Sequence, residues 1–286
     1  MDIRVKGDTR LFASIGDPVM HSISPQIHNS IFSTNGLNNI HIPMKIVKGE
    51  LEEYIACIRN NFTGVSVTKP HKQDIIKYLD YIDDDADKFN AINVIKIENG
   101  LLKGFNTDGY GFTKSLELYD IDVKDKEILL LGSGGAARVI AFEILRLGGK
   151  LTIANRTIDN AVMLAGELSQ YWDIDKINIL PIKDLNCGYF GIINATPVGM
   201  YPDIEKSPIK KEILKGSSFV FDLIYNPEIT LLLDYARDLD CKYINGFSML
   251  FYQAIKAQEI WTDRITDEKD LLMIKKEIET YLKNGI

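Results

Sequence analysis

Cysteine and histidine are scarce in this chain of 286 residues. The cysteines form no Cys-x-x-Cys pair, and they are odd in number and widely spaced: Cys57, Cys187 and Cys241. This usage indicates neither a disulfide framework nor a zinc site, and it is typical of a reducing compartment, so we expect a cytoplasmic location. We also expect no metal, because metal-ligand spacing is absent among the histidines, His21, His28, His41 and His71.

Long apolar runs and an excess of positive charge are also missing. No stretch approaches the ~18 consecutive apolar residues of a membrane span, and residues 1–8 lack the apolar segment of a signal peptide. We therefore expect neither export nor a membrane span. The formal net charge of −7 argues against nucleic acid or an anionic membrane as the main partner.

The rest of the composition is that of a globular protein. Hydrophobic residues make up 45% of the chain and charged residues 26%, which is enough for a full core. Since domains usually have about 100–200 residues, the length predicts two of them. No internal repeat and no low-complexity linker marks the junction between them.

Residues 127–138 have the pattern of a strand, a glycine turn and a helix. The apolar run 127–131 predicts a short buried strand that ends at Gly132, and the apolar residues that follow recur at helical spacing. In this setting Gly132, Gly134 and Ala137 match the G-x-G-x-x-G/A pattern of dinucleotide-binding turns. The pattern predicts that a pyrophosphate binds at the start of the helix, where backbone N–H groups are free.

The next predicted strand, 151–154, ends in Asn155, Arg156 and Thr157. Sites for NAD usually have an acidic residue here that accepts from the ribose 2′-hydroxyl, whereas an arginine suits a 2′-phosphate. We therefore predict NADP(H) rather than NAD(H). The alternative is that Arg156 is an ordinary solvated surface charge.

The first hundred residues predict a mixed α/β layer. Three strands alternate with helices and are followed by a hairpin, whose turn is Asn99-Gly100. The predicted strands are 11–15, 40–47, 64–68, 91–97 and 101–105, and the helices are 25–35, one through 51–58 and one after 72. We interpret the acidic run 83–85 as a solvated loop.

The remainder predicts a doubly wound parallel sheet. Besides the strands already described, it has a connecting helix at 110–118, strands at 178–180, 191–194, 219–223 and 242–244, and helices at 158–170 and 228–239. After Gly246 we expect helix to the end of the chain, with an amphipathic segment at 266–282. Domain junctions are expected near Asp108 and Gly246.

Short motifs along almost the whole chain resemble the shikimate dehydrogenase family and its quinate/shikimate dehydrogenase relatives. In chain order they are 15–25, 67–72, 91–93, 106–109, the glycine turn with Arg138, 155–157, 194–200, 222–227, and 246–250 with Gln253. The resemblance implies reversible, NADPH-dependent reduction of 3-dehydroshikimate to shikimate. It implies a substrate-binding and catalytic domain of residues 1–108 plus 246–286 and a Rossmann-type NADP-binding domain of 109–245. The C-terminal helices then return to the first domain, and the substrate is expected between the domains. Monomer and homodimer both stay open.

The resemblance implies that Lys72 is the proton donor and acceptor and that Asp108 pairs with it. Hydride transfer to a ketone leaves an alkoxide, which needs a proton donor within hydrogen-bond reach. From the residues alone, Lys72 reads as a surface lysine and Asp108 as part of a turn. The further substrate contacts implied are Ser22, Ser24, Ser66, Thr68, Asn93, Tyr225 and Gln253. For Ser22 and Ser24, helix capping is an equally good reading.

On the cofactor side, the resemblance implies contacts from residues in both predicted domains. They are Asp84, Gly132, Ser133, Gly134, Gly135, Ala136, Asn155, Arg156, Thr157, Thr196, Leu223 and Gly246.

Three positions depart from the family pattern. Ser66 stands where biosynthetic members usually have Asn and quinate-using members have Ser, which opens the question of substrate range. Val94 replaces a usual Thr. Asn160 replaces a second Arg, so the preference for NADP(H) is expected to be weaker than usual. The hypotheses are therefore a shikimate dehydrogenase, a broader quinate/shikimate dehydrogenase using either cofactor, and a non-catalytic NADP(H)-binding regulator.

Overall fold

The structure is a computed structural model that describes residues 5–283. The chain divides into two compact units: one takes in the chain up to Gly111 and again from Phe251, and the other is Phe112–Leu250. These boundaries lie within a few residues of the predicted junctions. As a statement about domains that fold and work separately, the predicted division stays a prediction.

The first unit contains a mixed six-stranded sheet in the order β2-β1-β3-β5-β6-β4. Its strands are β1 (Arg10–Gly16), β2 (Asn39–Lys45), β3 (Phe62–Val67), β4 (Tyr81–Ile82), β5 (Val94–Glu98) and β6 (Leu101–Phe105). The pairs β1–β2, β1–β3 and β4–β6 are parallel, and β3–β5 and β5–β6 are antiparallel. The predicted mixed sheet is confirmed, and so is its hairpin, whose turn residues Asn99 and Gly100 both have positive φ.

Helices pack on both faces of this sheet: α1 (Ser24–Thr34), α2 (Leu51–Asn61), α3 (His71–Asp74) and α4 (Asp84–Phe89). Alternation along β1 explains the two layers, because Ala13 and Ile15 join one buried cluster while Phe12 joins another with Trp261. Trp261 lies against Gly64, where a Cβ atom would come within 2.5 Å of the indole. Its Nε1 also donates to Ile95 O at 2.9 Å. The C-terminal part of the chain therefore returns to the first sheet, as predicted.

The second unit begins within α5 (Asp108–Leu118) and contains a six-stranded sheet in the order β12-β11-β10-β7-β8-β9. All its strand pairs are parallel. The strands are β7 (Glu127–Leu131), β8 (Lys150–Asn155), β9 (Ile177–Pro181), β10 (Gly191–Asn194), β11 (Phe219–Asp222) and β12 (Lys242–Ile244), with helices α6 (Gly135–Arg146), α7 (Ile158–Leu168) and α8 (Leu231–Asp238). Numbered from β7, this is the 3-2-1-4-5-6 order of the dinucleotide-binding fold, so the predicted Rossmann-type architecture is confirmed.

Two local predictions are wrong. The chain after Gly246 is not one helix: α9 (Phe247–Thr262) and α10 (Glu268–Lys283) are separated by a break in which Asp263 has a positive φ. The acidic run is not a loop either, because Asp83 caps α4 by accepting from Asp85 N at 3.2 Å. An Asx side chain followed by further acids is a helix start, and negative charge is favourable there.

No helix among residues 5–283 is long and apolar enough to cross a bilayer.

Candidate active site

Lys72 and Asp108 form an ion pair in the first unit. Lys72 lies just after β3, in the single turn of α3, and its Nζ is 2.5 Å from Asp108 Oδ2. The two side chains are 24% and 11% exposed, so the pair is sheltered while part of it still meets solvent. The backbone at Lys72 is fixed as well, because its carbonyl accepts from Ile92 N at 2.8 Å.

Two asparagines, Asn106 and Asn93, fix the position of Asp108. It is the first residue of α5, and its N–H donates to Asn106 Oδ1 at 2.9 Å, while Asn106 Nδ2 donates to Ala91 O at 2.8 Å. The Asn106 side chain therefore caps α5 and links the start of this helix to Ala91, which precedes β5. Asn93 Nδ2 donates to Asp108 Oδ1 at 2.8 Å, so both carboxylate oxygens have partners.

Asn93 is the centre of a buried polar group that includes a residue the sequence reasoning did not single out. Its Oδ1 accepts from Thr107 N at 2.8 Å, and its Nδ2 lies 3.0 Å from Thr107 Oγ1. Gln253, on α9, has its Oε1 3.4 Å from both Asn93 Nδ2 and Thr107 Oγ1. The structure thus brings Lys72, Asp108, Asn93 and Gln253 together. Thr107 lies within the motif 106–109, and this motif is the feature of the sequence that could have pointed to Thr107.

This arrangement can move a proton. An ammonium group is a donor of N–H bonds, and a neighbouring carboxylate orients it and stabilises its charge. Because Asp108 is itself oriented by Asn93, the direction of the ammonium group is set by Asp108 and, through it, by Asn93. A hydroxyl or carbonyl oxygen of a ligand next to Lys72 Nζ would lie within reach of such a donor.

Two of the remaining predicted substrate residues lie side by side. Ser22 Oγ donates to Ser24 Oγ at 3.0 Å and accepts from Ser24 N at 3.2 Å. Ser24 opens α1, whose N-cap residue is Ile23 and makes no side-chain cap bond. The serines therefore present two hydroxyls at the start of a helix, an arrangement that suits an anion.

The other three predicted substrate residues are placed separately. Ser66 is half-buried on β3, and Thr68 follows the same strand, with its N–H bonded to Ile15 O at 2.9 Å. Tyr225 lies in the second unit after β11, where burial raises the pKa of its hydroxyl. The substrate roles of these residues stay predictions.

The glycine turn of the second unit has room for a phosphate beside its backbone. Gly132 has φ +107°, and a Cβ there would be 3.2 Å from both Ala195 O and Thr196 Cγ2. Gly134 and Gly135 differ from it, since a Cβ at either would meet nothing within 4 Å. The turn leads into α6, whose first N–H groups have no partner within the helix. These residues fit a pyrophosphate.

At the end of β8, Arg156 is exposed and no carboxylate takes the position usual for NAD. Asn155 instead turns its amide to Thr157 O at 2.9 Å. The described residues at this edge therefore fit a ribose 2′-phosphate, with one guanidinium as the charged partner. Asp84, also predicted on the cofactor side, is exposed in the first turn of α4.

A second buried polar group joins the ends of β10 and β11. Asp222 Oδ1 accepts from Asn194 Nδ2 at 3.0 Å, and Asn194 Oδ1 accepts from Thr196 Oγ1 at 2.7 Å. Gly246 N bonds to Ile224 O at 3.1 Å. Burial raises the pKa of the Asp222 carboxyl to about 6, against hydrogen bonds that lower it. Asn194 and Asp222 lie within the motifs 194–200 and 222–227, but the sequence alone predicted no role for either side chain.

Within residues 5–283, the His, Cys, Asp and Glu side chains form no group of three placed to hold a metal ion.

The chain also matches models of known protein families. Residues 14–95 match the family model described as shikimate dehydrogenase substrate binding domain, and residues 115–222 match shikimate / quinate 5-dehydrogenase. A shikimate dehydrogenase (NADP(+)) of Methanocaldococcus jannaschii is 43% identical over 90% of this chain and 93% of its own.

Solved structures are similar along nearly their full length. A shikimate dehydrogenase in complex with NADP+ has a TM-score of 0.91 at 39% identity, covering 96% of this chain and 97% of that one. A shikimate 5-dehydrogenase of Thermus thermophilus, in complex with NADP(H) and shikimate, has a TM-score of 0.85 at 30% identity, covering 94% and 99%. The chain therefore belongs to the shikimate dehydrogenase family.

Proposed function

We propose that this protein is an NADP-dependent shikimate dehydrogenase, which reversibly reduces 3-dehydroshikimate to shikimate in the synthesis of chorismate and the aromatic amino acids. The observation that carries the proposal is the Lys72–Asp108 ion pair, at 2.5 Å and sheltered from solvent. Proton transfer requires such a pair, whereas binding of NADP(H) alone does not. The pair therefore supports an enzyme over a non-catalytic NADP(H)-binding regulator.

Bound NADPH supplies the hydride for the substrate carbonyl. Lys72 donates a proton to the oxygen that becomes the hydroxyl and takes it back in the reverse direction. Asp108 directs the ammonium group toward that oxygen and stabilises its charge. Ser22 and Ser24 donate to the substrate carboxylate, and Ser66, Thr68, Asn93, Tyr225 and Gln253 recognise the remaining polar groups.

For the cofactor, residues 132–136 hold the pyrophosphate and Arg156 the 2′-phosphate. The open backbone at Gly134 and Gly135 supports the first assignment. The exposed guanidinium of Arg156, with no acid at position 155, supports the second. Thr196, Leu223 and Gly246 complete the cofactor contacts, together with Asp84. The cytoplasmic location and the oligomeric state stay predictions.

Ser66 favours a second candidate function, a dehydrogenase that also oxidises quinate. A short serine leaves more room beside the substrate than the asparagine usual in biosynthetic members. Ser66→Asn is then expected to lower the rate with quinate relative to shikimate, because a site built around one set of hydroxyls rejects the other.

The test is an absorbance assay at the nicotinamide band with purified protein, shikimate or quinate, and NADP+ or NAD+. We expect the highest kcat/KM with shikimate and NADP+. A higher kcat/KM with quinate and NAD+ would replace the proposal by the second candidate. Binding of NADP+ without turnover of either substrate would support the regulator instead.

A further inference from the structure

Asp222 is a buried carboxylate that holds three neutral donors. It ends β11 and has no exposed surface. Its Oδ1 accepts from Asn194 Nδ2 and Ile224 N, both at 3.0 Å, and its Oδ2 accepts from Thr230 Oγ1 at 2.7 Å. Burying a carboxylate is unfavourable, and an apolar side chain would fill the space at lower cost. The group therefore calls for an explanation beyond packing.

Each of its partners fixes a different piece of backbone. Asn194 holds the chain after β10, since its Oδ1 accepts from Thr196 N at 3.0 Å and its carbonyl accepts from Leu223 N at 3.0 Å. Ile224 holds Gly246, where a Cβ atom would overlap Leu223 O, so the two backbones touch. Thr230 caps α8 by accepting from Leu233 N at 3.3 Å.

The connection also reaches the glycine turn. Ala195 N donates to Leu131 O at 2.9 Å, and Gly132 packs against Ala195 and Thr196. Through these hydrogen bonds, the carboxylate of Asp222 is thus connected to the backbone at the carboxyl ends of β7, β10 and β11. In a doubly wound sheet this edge receives the dinucleotide. The half of the ligand away from the 2′-phosphate then lies on the β10 and β11 side of the glycine turn.

We infer that Asp222 is a positioning residue for the nicotinamide half of the cofactor, acting through the backbone of Thr196, Leu223, Ile224 and Gly246. The inference rests on the proposed function for the identity of the ligand. Asp222 itself does not touch the ligand; it sets the distance and angle at which the ring meets the substrate. Small misplacements of reacting groups cost about 10²-fold in rate.

Two variants separate shape from hydrogen bonding. Asp222→Asn keeps the oxygen that accepts from Asn194 and Ile224, and its amide can donate to Thr230, whose hydroxyl also accepts. Asp222→Ala removes all three acceptor contacts. Thr152→Val is the matched control: Thr152 is equally buried, and its Oγ1 donates to the Glu127 carboxylate at 2.5 Å, at the start of β7. Thr230→Val removes the corresponding bond at the Asp222 end.

The experiment measures binding of NADP+ and of adenosine 2′,5′-bisphosphate by calorimetry, together with kcat and the isotope effect with NADPH deuterated at the transferred position. For Asp222→Ala we expect NADP+ affinity to fall about tenfold and kcat about 10²-fold, with a larger isotope effect and affinity for the fragment unchanged. Asp222→Asn is expected to stay close to the unsubstituted protein. Thr230→Val is expected to change in the same direction as Asp222→Ala, and Thr152→Val to lose only thermal stability.

The inference is overturned if Asp222→Ala loses only thermal stability, as the control does, or weakens the fragment as much as NADP+. Should Asp222→Ala fail to fold, Thr230→Val decides, because unchanged NADP+ affinity and isotope effect in that variant contradict positioning. If the unsubstituted protein oxidises neither substrate but binds NADP+, and Asp222→Ala selectively weakens that binding, the proposed function fails while the inference survives. Absence of any NADP+ binding refutes both.

Discussion

The amide of Asn93 donates a 2.8 Å hydrogen bond to Oδ1 of Asp108, the carboxylate whose other oxygen faces Lys72. Asn93 is almost fully buried, and its own Oδ1 accepts from Thr107 N at 2.8 Å. Any rotation of the Asn93 amide would therefore break at least one of these hydrogen bonds. Its predicted role was a substrate contact; the structure adds a fixed orientation for Asp108.

Asn93→Asp tests this orientation, because it keeps the acceptor for Thr107 N and removes the donor to Asp108. Two neighbouring carboxylates share a proton or repel, so we expect kcat to fall about 10–100-fold and the acidic limb of the kcat/KM profile to move to higher pH. The measurement is kcat/KM for shikimate oxidation from about pH 5 to 10. An unshifted profile with normal kcat would mean that Asn93 does not orient Asp108.

Lys72→Met removes the proposed proton donor and keeps an unbranched side chain that is one atom shorter. We expect kcat to drop by ~10²–10⁴ and the dissociation constant for shikimate to change much less, since the lost interaction belongs to proton transfer. Lys77→Met, at an exposed lysine on the segment that follows α3, is the control and should keep normal turnover. If the kcat of Lys72→Met is similar to that of the unsubstituted protein, a group other than Lys72 donates the proton.

Periodicity and glycine placement were enough to predict the second unit. The spans of β7, β10 and β12 were predicted to the residue, and β7 and β10 are short apolar runs bounded by glycine or polar residues. The hairpin of β5 and β6 followed from Asn99-Gly100 in the same way. These signals are local, and local sequence is what decides such elements.

The misses have physical reasons as well. The strand β4 has only two residues, too few for alternation to show, and it exists because it pairs with β6. The helix α4 was predicted as a loop because its N-cap and first turn are acidic residues, which are typical of solvated segments. Thr107 bonds to Asn93, and Asp222 bonds to Asn194 and Thr230. Because these partners are distant in sequence, no spacing rule could predict the roles of Thr107 and Asp222.

Arg156→Ala tests the proposed 2′-phosphate contact. A hydrogen bond to a charged group contributes ~1.5–3 kcal/mol, so we expect KM for NADP+ to rise about 10–100-fold with little change for NAD+. The control is Arg237→Ala on α8, where the arginine is exposed and pairs with its helix neighbour Asp234, a kind of pair that contributes little. Equal rises of KM for both cofactors would contradict a specific phosphate contact.

Two histidines in the first unit are buried and stacked on each other. The rings of His28 and His41 lie 4.5 Å apart at 28°, and Trp261 lies 4.9 Å from His28 and 6.0 Å from His41. Burial lowers the pKa of His28 from 6.5 to about 3. Burial also lowers the pKa of His41 well below 6.5, and the nearby His28 lowers it further.

These shifts predict that the first unit loses stability in acid. Below pH 6.5 the unfolded chain binds protons at both histidines, whereas the folded chain keeps them neutral until much lower pH. The unfolding free energy should therefore be at its full value well above pH 6.5 and fall as the pH drops toward 3, by up to about 1.4 kcal/mol per pH unit and histidine.

His41→Leu removes one of the two groups, and both ring nitrogens of His41 are without a hydrogen-bond partner in the described structure, so no bond is lost. In a Trp172→Phe background Trp261 is the only tryptophan, and its fluorescence in urea reports on this unit. We expect the difference in unfolding free energy between pH 6.5 and 5.0 to be about 1.6 kcal/mol smaller in His41→Leu than in the background or in the exposed control His21→Leu. Equal acid sensitivity in all three proteins would mean that His41 is not a source of the loss.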